Sequence, residues 1–160
     1  MAVDMFIKIG DIKGEAQDEK HKEEIDILSW SWGMSQSGTT HVGSGGGAGK
    51  ASFNDLSFTK WVDQASAPLM LHCANGKHIK EATLTVRKAG DKPLEYIVIQ
   101  LKDIIIASVS TGGSGGANRL TESVSLNFAE VEYKYTVQKK DGTAGAQFPF
   151  GWKIAENVPK

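Results

Sequence analysis

Short apolar runs broken by glycine set the rhythm of this chain. Met5, Ile7 and Ile9 alternate with other side chains in MFIKI and predict a first strand, because a two-residue period lines one face of a strand. Ile25 to Met34 (IDILSWSWGM) predicts a second strand whose phase slips. Ile25 and Ile27 share one face, whereas Leu28, Trp30, Trp32 and Met34 share the other. Such a slip predicts a β-bulge or a strand covered on both sides. Ser52 to Phe58 predicts a third strand. Phe58, Trp61, Val62 and Ala65 recur at helical spacing. Ser66 is placed to cap a further turn, Pro68 is tolerated inside it, and Asn75-Gly76 supplies a left-handed stop. One helical segment is therefore expected from about Thr59 to Asn75.

The second half returns to strands. Ala82, Leu84 and Val86 alternate with Thr83, Thr85 and Arg87, which predicts a half-buried strand. A turn at Gly90-Asp91-Lys92-Pro93 leads to Tyr96–Leu101, and Ile104–Val109 follows. The latter run is apolar on both faces, and such runs predict central, covered strands. Leu120 to Val137 is the longest β-like stretch. Leu120, Val124, Leu126 and Phe128 share one face; Val131, Tyr133, Tyr135 and Val137 share the other, with the slip near Ala129-Glu130. A long strand that changes face can serve two sheets at the corner of a closed sandwich. Phe150, Trp152 and Ile154 predict a last strand. About eight strands with one helical segment make the fold class mainly β, a barrel or closed sandwich with a helix on its flank, in one domain over residues 1–160.

Composition removes several function classes. The chain carries 18 basic and 19 acidic residues, a net charge of −1, with the lysines interleaved among acids. No basic stripe points to nucleic acid, and near-zero charge leaves self-association unopposed. Apolar residues at 40% and charged ones at 23% argue for a packed core and against disorder. Cys73 is the lone cysteine, so no internal disulfide is expected. The opening MAVDMFIKIGD lacks the apolar core of a secretory signal, and no run approaches bilayer length, so membrane insertion is not expected.

Candidate chemistry is thin. The loop Gly43, Ser44, Gly45, Gly46, Gly47, Ala48, Gly49, Lys50 invites a phosphate-loop reading. That motif needs a glycine where Ser44 stands and a hydroxyl where Ala51 stands, so it fails twice. The G-x-G-x-x-A match at Gly43, Gly45 and Ala48 lacks a following helix. His21, His41, His72 and His78 show no metal-ligand spacing, and they are expected at the surface, with Cys73 a small buried residue. Asp18, Glu19, Glu23 and Glu24 lie in a mixed charged stretch expected to be a solvated loop, and Glu130 and Glu132 are expected to face solvent along a strand. Trp30, Trp32, Trp61 and Trp152 are expected to be core or interface residues, the alternative being an aromatic face that binds carbohydrate as a monomeric module. No cofactor, no metal and no catalytic constellation is expected.

The order of segments resembles the Hcp (haemolysin-coregulated protein) family of bacterial type VI secretion systems, and within it the Pseudomonas-type members. MAVDMFIKIGDIKGEAQDEKH is similar to the family's first strand and polar loop, and IDILSWSWGMSQSG to its second strand. LSFTKWVD resembles the lead into its helix; TLTVRKAG, STGGSGG and RLTESVSLNFAEVEYKY resemble its later strands and the loop between them. The resemblance covers Met1 to about Asn157. It implies a barrel built from two antiparallel sheets, a homohexameric ring with a wide pore, and rings stacked into a tube that is exported without a signal peptide. It implies as partners further copies of the chain, the tip spike, the sheath, the baseplate and effector cargo carried in the pore. It implies that the loop from Gly43 to Lys50 meets the neighbouring ring and that Ser114 lies near the pore. Some members carry toxin domains after the barrel; this sequence stops at Lys160, so toxicity is expected to belong to cargo.

Overall fold

In a computed structural model, which describes residues 3–37, 50–88 and 93–160, the strands close on themselves. β1 (Val3–Ile9), β2 (Ile25–Ser31), β5 (Leu56–Trp61), β6 (Ile79–Lys88), β7 (Glu95–Thr111) and β8 (Thr121–Gln138) form the wall. Their order is β8-β5-β2-β1-β6-β7, and β7 pairs back onto β8, so the sheet is a six-stranded antiparallel barrel. β9 (Ala144–Lys153) and β10 (Val158–Pro159) extend it beyond β8, while β3 (Met34–Ser35) and β4 (Ser52–Phe53) make a separate small ribbon. Closure removes the sheet edges that an open sheet would expose.

The long strands do the closing. β8 is one strand of 18 residues, and its face changes where the pattern slips, near Ala129-Glu130. Its first half pairs with β5 from Thr121 to Leu126, and its second half pairs with β9 from Glu130 to Gln138. β7 lies along its other edge throughout. The two apolar runs expected as separate strands, Tyr96–Leu101 and Ile104–Val109, are a single strand of 17 residues. Lys102-Asp103 does not end it, because Asp103 takes a left-handed φ of 52° and lets the backbone bend and continue. Extra residues on β7 opposite β6 and opposite β8 add bulges, which sharpen the curvature a small barrel needs.

Four expectations need correction. The phase slip in the second strand is a β-bulge between Ile27 and Ser29. The extra residue, Leu28, is 38% exposed, while Trp30 and Trp32 turn back to pack on the core; Leu28 does not share their face. The helical spacing of Phe58, Trp61 and Val62 is coincidental. Phe58 and Trp61 belong to β5, where Leu56, Phe58 and Lys60 line the inside at period two, and within the expected segment the helix is α1 (Ser66–Asn75). Ser66 is not the cap either. The N-cap is Ala65, Asp63 Oδ1 accepts from the Ala65 N–H at 2.9 Å, and the Ser66 hydroxyl is used elsewhere. The stop is as expected, with Gly76 left-handed at φ 66°. The strand around Ala82 to Val86 is covered on both faces, because Thr85 and Arg87 are also buried.

The core runs through the barrel, from Ile7, Ile9 and Ile25 through Leu56 and Phe58 to Ile99, Leu101 and Ile104. Leu69 of α1 joins it and is fully buried, so the helix docks on the barrel through that side chain. Burying a leucine stabilises by roughly 1.5–3 kcal/mol, which holds the helix in place. Among the described residues, no helix is long and apolar enough to cross a membrane.

Candidate assembly surfaces

The charged side chains inside this fold are its least expected feature. Lys60 continues the inward stripe of β5 and is 0% exposed. Glu122 lies directly opposite it on β8 and is equally hidden. Lys60 Nζ is 2.8 Å from Glu122 Oε2, 2.8 Å from Asp63 Oδ1 and 3.2 Å from Ser66 Oγ. Ser66 Oγ donates to Glu122 Oε2 at 2.7 Å and accepts from the Asp63 N–H at 3.1 Å. Burial pushes the Glu122 carboxyl up, but hydrogen bonds from Lys60 and Ser66 and the lysine charge outweigh it, so Glu122 titrates below the usual glutamate range. The cluster ties the first turn of α1 to the β5–β8 seam. The signal was present in the pattern. A lysine after Leu56 and Phe58, and a glutamate before Val124 and Leu126, each occupy the inward phase of an apolar stripe.

A second cluster pins the loop between β1 and β2. Phe6 stacks on His21 with ring centroids 4.6 Å apart, and the Arg87 guanidinium lies 5.2 Å from the Phe6 ring centre. His21 bridges two carboxylates, Nδ1 at 2.9 Å from Glu24 Oε2 and Nε2 at 2.8 Å from Glu95 Oε1. Arg87 bonds Asp18 and reaches Asp4 at 3.5 Å; its hydrogen bond holds the Asp18 carboxyl below the usual aspartate range. This corrects two expectations. His21 is buried at 8% exposure and is no surface histidine, and the acidic stretch around it is a packed loop in which Asp18 and Glu24 are anchored. Glu23 pairs outward with Lys13 at 2.6 Å.

The remaining candidates do not converge. Cys73 is only half-buried, and His72 Nδ1 bonds the Pro68 carbonyl at 2.7 Å. Glu130 and Glu132 are not simply solvated, since Lys160 Nζ lies 3.8 and 3.3 Å from them. Among the described residues, no three His, Cys, Asp or Glu side chains gather where an ion could sit. Trp30, Trp32 and Trp152 are partly buried and pack on the core, Trp32 stacking on Phe53 at 6.4 Å. Trp61 carries Arg119 over its ring at 4.4 Å.

Ser114 is exposed in the connection between β7 and β8, its carbonyl accepting from the Ala117 N–H at 3.2 Å. In that connection, a side chain at Gly112, Gly115 or Gly116 would meet nothing, whereas one at Gly113 would strike Leu120 at 2.6 Å. Lys50 is exposed; Gly43, Ser44, Gly45, Gly46, Gly47, Ala48 and Gly49, with His41 and the turn from Gly90 to Lys92, lie outside the described residues. Phe148 and Tyr135 face each other across β9 and β8, and both are exposed.

The chain is similar to known proteins along its whole length. The family model described as type VI secretion system effector, Hcp, matches residues 6–135. Protein hcp1 of Pseudomonas aeruginosa is 58% identical over 160 residues, covering 99% of each chain. The crystal structure of Hcp1 from Salmonella typhimurium superposes with a TM-score of 0.84 at 42% identity, covering all of both chains. A structure titled as a type six secretion system protein gives a TM-score of 0.92 at 32% identity, over 99% of this chain and 100% of that one.

Proposed function

The chain belongs to the Hcp family of type VI secretion proteins, and from that premise we propose how it works as a tube subunit. It is a member of a structural, secreted family. In this reading residues 1–160 are one barrel domain. Six copies close head to tail into a ring with a wide pore, and rings stack into a tube. The chain acts mechanically, without catalysis and without a cofactor. It starts in the bacterial cytoplasm and leaves through the secretion machine with no N-terminal signal. Its partners are its own copies, the tip spike, the sheath, the baseplate and effector cargo, with no role for nucleic acid or membrane insertion.

Identity of 58% from end to end with one Hcp protein is the observation that carries this reading. Several features of the molecule support it. The barrel closes on itself, with Lys60 and Glu122 paired across the β5–β8 seam. Near-zero net charge lets copies approach. Phe148 and Tyr135, facing each other across β9 and β8, are both exposed and accessible to a subunit contact. The loop of Gly43, Ser44, Gly45, Gly46, Gly47, Ala48, Gly49 and Lys50 is assigned to ring stacking, and Ser114 to the pore.

Light scattering on the purified protein, with negative-stain images of the same peak, tests the ring. The expected result is six chain masses and ring-shaped particles with a central hole. A monomer at every concentration would overturn the proposal.

A further inference from the structure

His21 joins the connection between β1 and β2 to the start of β7. Glu24 belongs to the same connection as the ring, whereas Glu95 opens β7, 74 residues away. Both ring nitrogens are spent on carboxylates, Nδ1 at 2.9 Å from Glu24 and Nε2 at 2.8 Å from Glu95. An ionised carboxylate only accepts, and a neutral imidazole carries a single N–H. Both contacts are hydrogen bonds only when the ring holds two protons. With one proton, one carboxylate faces a bare nitrogen lone pair at the same distance, and the two acceptors repel.

The neighbouring cations are engaged elsewhere. Among the described residues, Glu24 and Glu95 pair with no lysine or arginine. Arg87 on β6 is taken by Asp18 of the connection and Asp4 of β1. Lys88 bonds Gln138 and lies over the Tyr96 ring, and Lys13 pairs with Glu23. Lys20 and Lys22, on either side of His21 in the chain, are exposed. β2 adds a further carboxylate, Asp26, directly across the ladder from Phe6, on which His21 stacks. Carboxylates therefore outnumber cations around His21 and Arg87, and of the two, histidine is the one that exchanges its proton at ordinary pH. Glu95 has the room to leave, since its side chain is 41% exposed against 16% for Glu24.

We propose that the His21 proton is a latch: the doubly protonated ring clamps the β1–β2 connection to β7, and loss of one proton frees Glu95 into water and loosens residues 14–24 on the barrel. The connection keeps other anchors that no histidine proton touches. Gln64 donates from its backbone to Glu15 and from its side chain to the Gly14 carbonyl, and Arg87 still holds Asp18. The change is thus a local loosening with the barrel intact, the form that histidine-operated switches take.

Hydrogen exchange read by mass spectrometry on the full chain, over a series of pH values, tests the latch. A peptide spanning residues 14–24 reports both quantities. Slow exchange at the imidazole C2 position follows the His21 proton, and fast exchange follows the amides of Gly14, Ala16 and Glu23, which donate to the carbonyls of Glu23, Glu24 and Ala16. Amide protection, corrected for the intrinsic pH dependence of exchange, is expected to fall roughly tenfold or more as His21 loses its proton, the worth of one hydrogen bond to a charged group. The two changes share one midpoint. Glu95→Gln, at an exposed position, is expected to keep the protection and lose its pH dependence, because an amide offers its oxygen to an Nε2–H and its NH2 to a bare Nε2. Protection that ignores the His21 proton, a fall at a different midpoint, or a Glu95→Gln protein that loosens as the native one does would each overturn the proposal. The readout needs neither ring nor tube, so its outcome is separate from that of the secretion reading.

Discussion

Lys60 stands where a period of two would put a leucine, and Glu122 meets it from the facing strand. Taking two charges out of water is unfavourable, so the pair stabilises only because each atom is met: Asp63 and Ser66 complete the shell. Removing one partner leaves the other stranded. Glu122→Gln is expected to cost about 3 kcal/mol at neutral pH, toward the low end for a broken buried pair because Asp63 still faces the ammonium. The carboxyl titrates lower in the fold than in the unfolded chain. Its contribution is therefore complete above the ordinary glutamate range and is lost as pH falls toward the depressed folded value. Urea unfolding across that range should show stability dropping into acid for the native protein and a flatter profile for Glu122→Gln. Gly14 is constrained by space alone. A side chain there would lie 2.5 Å from the Glu24 carbonyl oxygen and 2.7 Å from the Ile25 Cα, both backbone. Gly14→Ala should lower stability by about 1–3 kcal/mol, read from the midpoint of a urea curve.

Among the elements, β2 and α1 show how local pattern and tertiary contact divide the work. The slip in IDILSWSWGM was visible in the amino acids, but whether it meant a bulge or a two-sided strand depended on what lay alongside. Pairing with β5 decides it, because Ile27 meets Lys60 and Ser29 meets Thr59, which leaves Leu28 over. Leu28→Thr should therefore change stability by less than about 1 kcal/mol in a thermal melt. Ile27→Thr, at a buried position, should cost about 2 kcal/mol. Equal losses at both sites would contradict the bulge. In α1 the helical spacing from Phe58 onward was misleading because β5 needs the same apolar residues at period two, and pairing from Leu56 to Trp61 with β8 claims them. The helix begins only after Asp63 turns the chain.

At the scale of the whole molecule, six strands close because β8 is long enough to hold β7 along one edge and both β5 and β9 along the other. In the proposed ring the closed barrel is the repeating unit, and the glycine-rich connection bearing Ser114 adds a small, exposed surface to it. If that connection lines the pore, Ser114→Trp should abolish capture of effector cargo by the purified ring while leaving its mass by light scattering unchanged. Loss of the ring itself would place Ser114 in a subunit contact instead.

The first strand around Met5–Ile9, the left-handed stop at Gly76, the change of face in β8 and the ordered series of Hcp-like segments were all determined by the amino-acid sequence, because each depends on periodicity or on a residue type within a few positions. The fusion of two apolar runs into β7, the bulge at Leu28 and the pairing of Lys60 with Glu122 were decided only by tertiary structure. The reason is physical. A strand's neighbours come from distant parts of the chain, with Lys60 and Glu122 separated by 62 residues, and a charge in an apolar stripe becomes tolerable only when the facing strand supplies its partner.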